Sequence, residues 1–169
     1  DEGEVTPFIF VIFGGAGDLS KKKLLPMLFS MYLRGELTES FAILGFGRQE
    51  LSDADYRALV REALEASEDT GGGSEAQLEG FCSRCFFHYG HLEVPEYYES
   101  LQERLYEVSD GYRYQIVYYL AVPSSLYGQV IGTIGESSLP TDADKVKIVI
   151  EKPFGKNLST AMELNRTVH

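Results

Sequence analysis

Residues 8–24 read FIFVIFGGAGDLSKKKL. The first six form an unbroken run of aromatic and β-branched side chains that stops at glycine. A run of that length and character suits a strand buried on both faces, as in a parallel sheet. Glycines at 14, 15 and 17 follow, and then Leu19, Leu24, Leu25, Leu28, Met31 and Tyr32 recur at helical spacing until Gly35. The pattern predicts a helix that starts within GDLSKK, with Pro26 near its first turns, where proline is best tolerated. Residues 41–46, FAILGF, read as a second buried strand. Strand, glycine turn, helix and strand together have the length of a right-handed βαβ crossover, roughly 30 residues or more.

The alternation continues along the chain. Ser52, Asp53 and Asp55 predict the start of a helix running to about residue 68, because short polar side chains cap free backbone N–H groups. Residues 69–74, DTGGGS, read as a loop. A helix is expected over 75–84, a short strand over 85–89 and an amphipathic helix over 95–107. Residues 114–122 read as a strand that ends at Pro123. A helix over 124–136 is weakened by Gly128 and Gly132. Residues 146–151 form another buried strand closed by Lys152 and Pro153, and Asn157 or Ser159 starts a last helix. The expectation is one α/β domain over residues 1–169. Its sheet is of Rossmann type, doubly wound and mostly parallel, with helices on both faces. Periodicity does not give strand order; the order expected from that fold is 3-2-1-4-5-6.

Composition narrows the function. The 169 residues are 44% hydrophobic and 24% charged, an ordinary globular balance. With 15 basic and 26 acidic residues, the net charge is −11. Nucleic-acid binding relies on Lys and Arg to neutralise phosphates, so it is not expected. No apolar run approaches the roughly 18 residues that span a bilayer, so no membrane association is expected either. The acidic start, residues 1–4, is unlike a targeting peptide. A cytoplasmic protein is the expectation. Cys82, Cys85, His88 and His91 form a C-x-x-C-x-x-H-x-x-H run whose spacing fits no zinc signature. Two buried or half-buried cysteines in a reducing compartment, and no metal, are expected.

Three constellations carry chemistry. The first is 14–19, GGAGDL, between a strand and a helix. A dinucleotide diphosphate needs close approach of backbone, and it gains from the free N–H groups and positive end of a helix. The full G-x-G-x-x-G pattern is missing, since Ser20 stands at its last position. Lys21, Lys22 and Lys23 follow, and cations at a helix start are costly unless an anion is bound. The second is Arg48-Gln49 just past the second strand. A carboxylate there would bind a free ribose 2'-hydroxyl, whereas a guanidinium binds a 2'-phosphate. The charge favours NADP, and Gln49 leaves weaker NAD binding open. The third is Glu151-Lys152-Pro153, delivered by a strand to the sheet edge where such folds bind ligands. Ala121 to Tyr127 likewise follow a strand end; the plain reading of that segment is a proline turn with a core tyrosine.

GGAGDLSKKK (14–23) resembles the glycine fingerprint of the glucose-6-phosphate dehydrogenases. LGFGRQ (44–49), YLAVPSSLY (119–127) and IVIEKPFG (148–155) recur in that family in the same order at similar spacing. The resemblance implies that Gly14, Gly15, Ala16, Gly17, Asp18, Leu19, Ser20 and Lys21 cradle the coenzyme diphosphate. It places Arg48 on the 2'-phosphate with Gln49 beside it, and Ala121, Pro123 and Tyr127 on the nicotinamide side. Lys152 would contact both coenzyme and glucose 6-phosphate, Pro153 would position it, and Lys23 would stand near the substrate.

The implied activity is NADP-dependent oxidation of glucose 6-phosphate at C1, giving 6-phosphogluconolactone in the first step of the pentose phosphate pathway. Hydride would pass to C4 of the nicotinamide, and a histidine base aided by an aspartate would take the hydroxyl proton. The family motif R-I-D-H-Y-L-G-K-E is not in this sequence, nor is the β+α substrate domain with the base; His88, His91 and His169 do not match it. The expectation is therefore a coenzyme domain without significant turnover of its own. It is expected to be a monomer or weak dimer, within a parent that is a homo-oligomer. The alternative is a non-catalytic domain that senses NADP or docks a partner.

Overall fold

The computed structural model describes residues 7–37, 40–67 and 73–150. Five strands, β1 (Phe8–Phe13), β2 (Ala42–Gly47), β3 (Cys85–Tyr89), β4 (Gln115–Leu120) and β5 (Val146–Ile150), form one sheet. Every pair is parallel, and the order is β3-β2-β1-β4-β5. This is the expected order over the described strands. The helices are α1 (Leu25–Leu33), α2 (Asp53–Ala66), α3 (Glu75–Cys82), α4 (Pro95–Val108) and α5 (Tyr127–Glu136).

Burial explains the layering. Alternate residues of β1 point to opposite faces. Ile9, Val11 and Phe13 join Tyr98, Leu101, Leu105, Val130 and Ile134 of α4 and α5 in one core. Ile12 joins Leu25, Leu28, Tyr56, Val60, Leu64 and Phe81 of α1, α2 and α3 in the other. All six residues of β2 are buried. The chain leaves β1 for β2 on one side and later returns to pair β4 on the other. The carboxyl ends of β1 and β4 therefore part at a switch point, the place where open α/β sheets hold ligands.

The first helical run begins at Asp18, within the expected GDLSKK segment, but Pro26 lies more than two turns into it rather than in its first turns. Proline has no N–H, and its ring crowds the carbonyl four residues earlier. The run accommodates it with a widened turn over Ser20–Leu24, in which the Leu25 N–H reaches back five residues to the Ser20 carbonyl. The helix after β4 opens with a single tight turn, Ser124–Leu126, before α5. Gly128 and Gly132 do not prevent α5. A methyl group at either would meet nothing within 4 Å, and the stripe Tyr127, Val130, Ile131 and Ile134 is buried. Packing of that stripe outweighs propensity. The helix expected from 157 or 159 lies outside the described residues.

β3 is an edge strand, and α2 seals it. The Phe87 N–H donates to Asp53 Oδ1 at 2.9 Å, and Arg57 Nε donates to the Cys85 carbonyl at 2.8 Å. Arg104 Nη2 of α4 bonds Asp53 Oδ2 at 2.7 Å, and the Arg57 guanidinium lies 5.0 Å from the Phe86 ring centre. Side chains thus occupy backbone groups that would otherwise accept a foreign strand.

Asp53→Ala removes the acceptor of one backbone N–H and the nearer of two carboxylates beside the Arg104 guanidinium. A loss of about 2 kcal/mol in urea unfolding is expected. His88 gives a pH dependence. It is bonded to Ser100 Oγ at 2.8 Å, and burial, then Arg104, hold its imidazole below the ordinary value of 6.5. The unfolded chain then takes up a proton that the folded chain refuses, so stability falls as pH drops below 6.5. Unfolding of wild type and His88→Gln between pH 5 and 8 is expected to show a flatter acid limb for the variant.

Candidate dinucleotide site

The turn after β1 is built on absent side chains. Gly14 has φ +85°, and a Cβ there would sit 2.6 Å from the Ala121 carbonyl oxygen. A Cβ on Gly15 would sit 2.6 Å from Gly45 Cα, so the ends of β1 and β2 approach as bare backbone. The Gly14 and Gly15 N–H groups both donate to the Phe46 carbonyl, at 2.8 and 3.2 Å. The Gly17 N–H closes on the Gly14 carbonyl at 3.0 Å, and Ser20 Oγ donates to the same oxygen at 2.9 Å.

The glycine amides are therefore not the free ones. Among the described residues, the N–H groups of Ala16, Asp18, Leu19 and Ser20 have no protein acceptor. The widened segment Ser20–Leu24 has no side-chain cap, and Asp18 is the acidic residue that opens the helical run. Uncapped donors at the positive end of a helix favour an anion.

Ala16, Asp18 and Leu19, though not the buried Ser20, border a crevice of about 510 Å³ at the switch point. Gly14, Ala16, Gly17, Asp18 and Leu19 form its floor on the β1 side. Arg48 and Gln49 come from the end of β2, and Ala121, Val122 and Pro123 from the end of β4. Arg48 is exposed and makes no ion pair with a described residue. Gln49 Nε2 donates to the Ala16 carbonyl at 3.3 Å, tying the β2 end to the turn.

Other sequence candidates lie elsewhere. Gly15 is buried beneath the turn, and Ser20 is fully buried with its hydroxyl committed to Gly14. Lys21 lines a separate open groove against α2 and stands 3.9 Å from Asp18. Lys23 is exposed and does not line the crevice. Tyr127 is 3% exposed within the α4 and α5 core. The structure thus gives Tyr127 the plain core role, and Leu126 and Gln129 take the crevice position. Leu126 ends the tight turn Ser124–Leu126, and Tyr127 opens α5 on its buried stripe with Val130, Ile131 and Ile134. Lys152 and Pro153 lie outside the described residues.

Leu92 and Glu93, in the segment after β3, also line the crevice. The sequence reading missed them, although the strand-end rule applied to β2 and β4 would have found them. Cys82 and Cys85 are free and buried. Burial pushes the Cys82 thiol up to about 11 and Cys85 higher still, so neither is a thiolate at neutral pH. No cluster of three metal-binding side chains exists among the described residues. Nor is any described helix long and apolar enough to cross a membrane.

Residues 11–169 match the family described as glucose-6-phosphate dehydrogenase, NAD binding domain. The chain belongs to the glucose-6-phosphate dehydrogenase NAD-binding domain family. It is 37% identical over 162 residues to glucose-6-phosphate 1-dehydrogenase of Aggregatibacter actinomycetemcomitans, covering 94% of this chain and 32% of that one. It is 30% identical over 169 residues to the chloroplastic glucose-6-phosphate 1-dehydrogenase 3 of Arabidopsis thaliana, covering 99% of this chain and 28% of that one. A solved glucose-6-phosphate dehydrogenase in complex with its substrate glucose-6-phosphate superposes with TM-score 0.73 at 31% identity, over 95% of this chain and 33% of the other. The chain thus spans about a third or less of the glucose-6-phosphate dehydrogenases it resembles. The family relation makes the chain a coenzyme-binding domain, and the crevice at the switch point is its candidate dinucleotide site.

Gly14→Ala places a methyl in the left-handed backbone region and against the Ala121 carbonyl. A stability loss of about 3 kcal/mol is expected in urea unfolding. Coenzyme is then expected to give no rise in the unfolding temperature of the variant.

Proposed function

We propose that this chain is the coenzyme domain of an NADP-preferring glucose-6-phosphate dehydrogenase. The observation that carries the coenzyme preference is Arg48, a guanidinium with no ion-pair partner among the described residues, on the wall of the crevice that Ala16, Asp18 and Leu19 also line. Uncapped amides suit the diphosphate, and Arg48 suits the 2'-phosphate through two parallel charge-assisted bonds. The first acidic side chain past β2 is Glu50, two residues beyond Arg48. An NAD-specific site would carry its carboxylate at the strand end itself.

The donor set fits the coenzyme. Ala16, Asp18 and Leu19 would hold the diphosphate; Arg48, with Gln49 beside it, the adenosine side; Ala121 and Pro123 the nicotinamide side. When bound, the nicotinamide supplies a hydride acceptor. The chain's own share is to bind and orient it, with the apolar Leu92, Val122 and Leu126 limiting water around it. The oxidation assigned is that of glucose 6-phosphate at C1, the substrate named for the solved relative. Lys152, Pro153 and Lys23 are proposed as this chain's contribution to the substrate side.

The proton-abstracting base is assigned outside these residues. His88 is committed to Ser100, and His91 lies against Tyr89 at 3.1 Å. The 169 residues by themselves are therefore expected to bind coenzyme without producing NADPH from glucose 6-phosphate.

Titration of NADP and NAD against wild type and Arg48→Ala tests the reading. Loss of a bidentate charge-assisted contact of about 1.5–3 kcal/mol weakens NADP roughly 10- to 100-fold. NAD affinity is expected to stay within about twofold, because it has no 2'-phosphate to lose. Equal NADP and NAD affinities in both proteins would reject the role of Arg48.

A further inference from the structure

The geometry points to Tyr56 as a positioning residue that aims a diphosphate-binding amide from behind the glycine turn. The inference rests on the coenzyme reading above. Tyr56 lies in the first turns of α2, far in sequence from the turn it touches. Its side chain is fully buried, and its hydroxyl donates to the Gly15 carbonyl at 2.9 Å. β2 makes room for it. A Cβ on Gly45 would stand 2.8 Å from both Cζ and the hydroxyl oxygen of Tyr56. Gly45 is thus required where the phenol passes between α2 and the turn, besides its role under Gly15.

The consequence follows from peptide geometry. The Gly15 carbonyl and the Ala16 N–H belong to one planar trans peptide, so they point in opposite directions. Fixing the carbonyl toward α2 turns the Ala16 N–H away from α2. Ala16 lines the crevice, and its N–H has no protein acceptor among the described residues. A fully buried phenol is tolerated because its hydroxyl is bonded, and burial pushes its ionisation far above the ordinary range. At any working pH Tyr56 is a neutral donor, able to hold a carbonyl but not to repel a phosphate. Gln49 adds a second tether, on the Ala16 carbonyl, from the exposed side.

Tyr56→Phe keeps the ring and removes the hydroxyl. Binding of NADP, NAD and adenosine 2'-phosphate is measured by calorimetric titration for wild type and variant. Adenosine 2'-phosphate carries the ribose phosphate but no diphosphate. The expected result is that NADP and NAD each weaken by about tenfold and by the same factor, while adenosine 2'-phosphate is unchanged. Three equal losses, or none with a lowered unfolding midpoint, would mean that Tyr56 only supports the fold and would overturn the inference. Should wild type bind neither dinucleotide, the coenzyme reading fails and this inference with it. Wild-type binding matched by an unaltered variant sinks this inference alone. A variant that does not fold leaves a second measurement on wild type, the NMR shift of the Ala16 amide. It is expected to move on adding NADP or NAD and to stay put with adenosine 2'-phosphate; no movement with either dinucleotide overturns the assignment.

Discussion

The Phe46 carbonyl oxygen receives two amide hydrogens, from Gly14 at 2.8 Å and Gly15 at 3.2 Å. That double acceptance welds the exit of β1 to the end of β2. It is possible only because Gly14 takes a positive φ and because Gly15 and Gly45 present no side chains to one another. With those two amides consumed, the turn rolls into a helix whose opening N–H groups have no acceptor among the described residues. The unsatisfied donors are a consequence of how the strand ends, and an anion at the switch point is the natural partner for them.

Much of this was legible in the sequence because parallel strands buried on both faces write themselves as continuous apolar runs. FIFVIF and CFFHY match β1 and β3 residue for residue, and Ser52 with Asp55 forms the expected cap at the start of α2. The sheet order followed from fold type rather than from periodicity. The crevice was legible wherever a strand end could be seen, which covers Gly14, Ala16, Gly17, Arg48, Gln49, Ala121 and Pro123.

What escaped depends on rotation and on long-range contact. That Leu126 lines the crevice while its neighbour Tyr127 is buried is a matter of rotation about the helix start, which residue types alone do not encode. Which amides of the turn are free depends on the carbonyl of Phe46, some thirty residues away, and Tyr56 reaches the turn from another element. Pro26 was read as harmless near a helix start. The run starts inside GDLSKK as expected, but Pro26 falls more than two turns into it, and a widened turn over Ser20–Leu24 precedes it. In each case the sequence named the residue type correctly but could not supply its azimuth.

Asp53, Tyr56 and Arg57 stand at successive helical neighbours on the first turns of α2, so they share one face. Two of them hold the outermost strand of the sheet, and the third holds the glycine turn after β1. That short stretch of helix is a common bracket between the rim of the molecule and its crevice. Slack introduced at the rim is inherited at the turn without any intermediate relay, because a single rigid backbone carries both attachments.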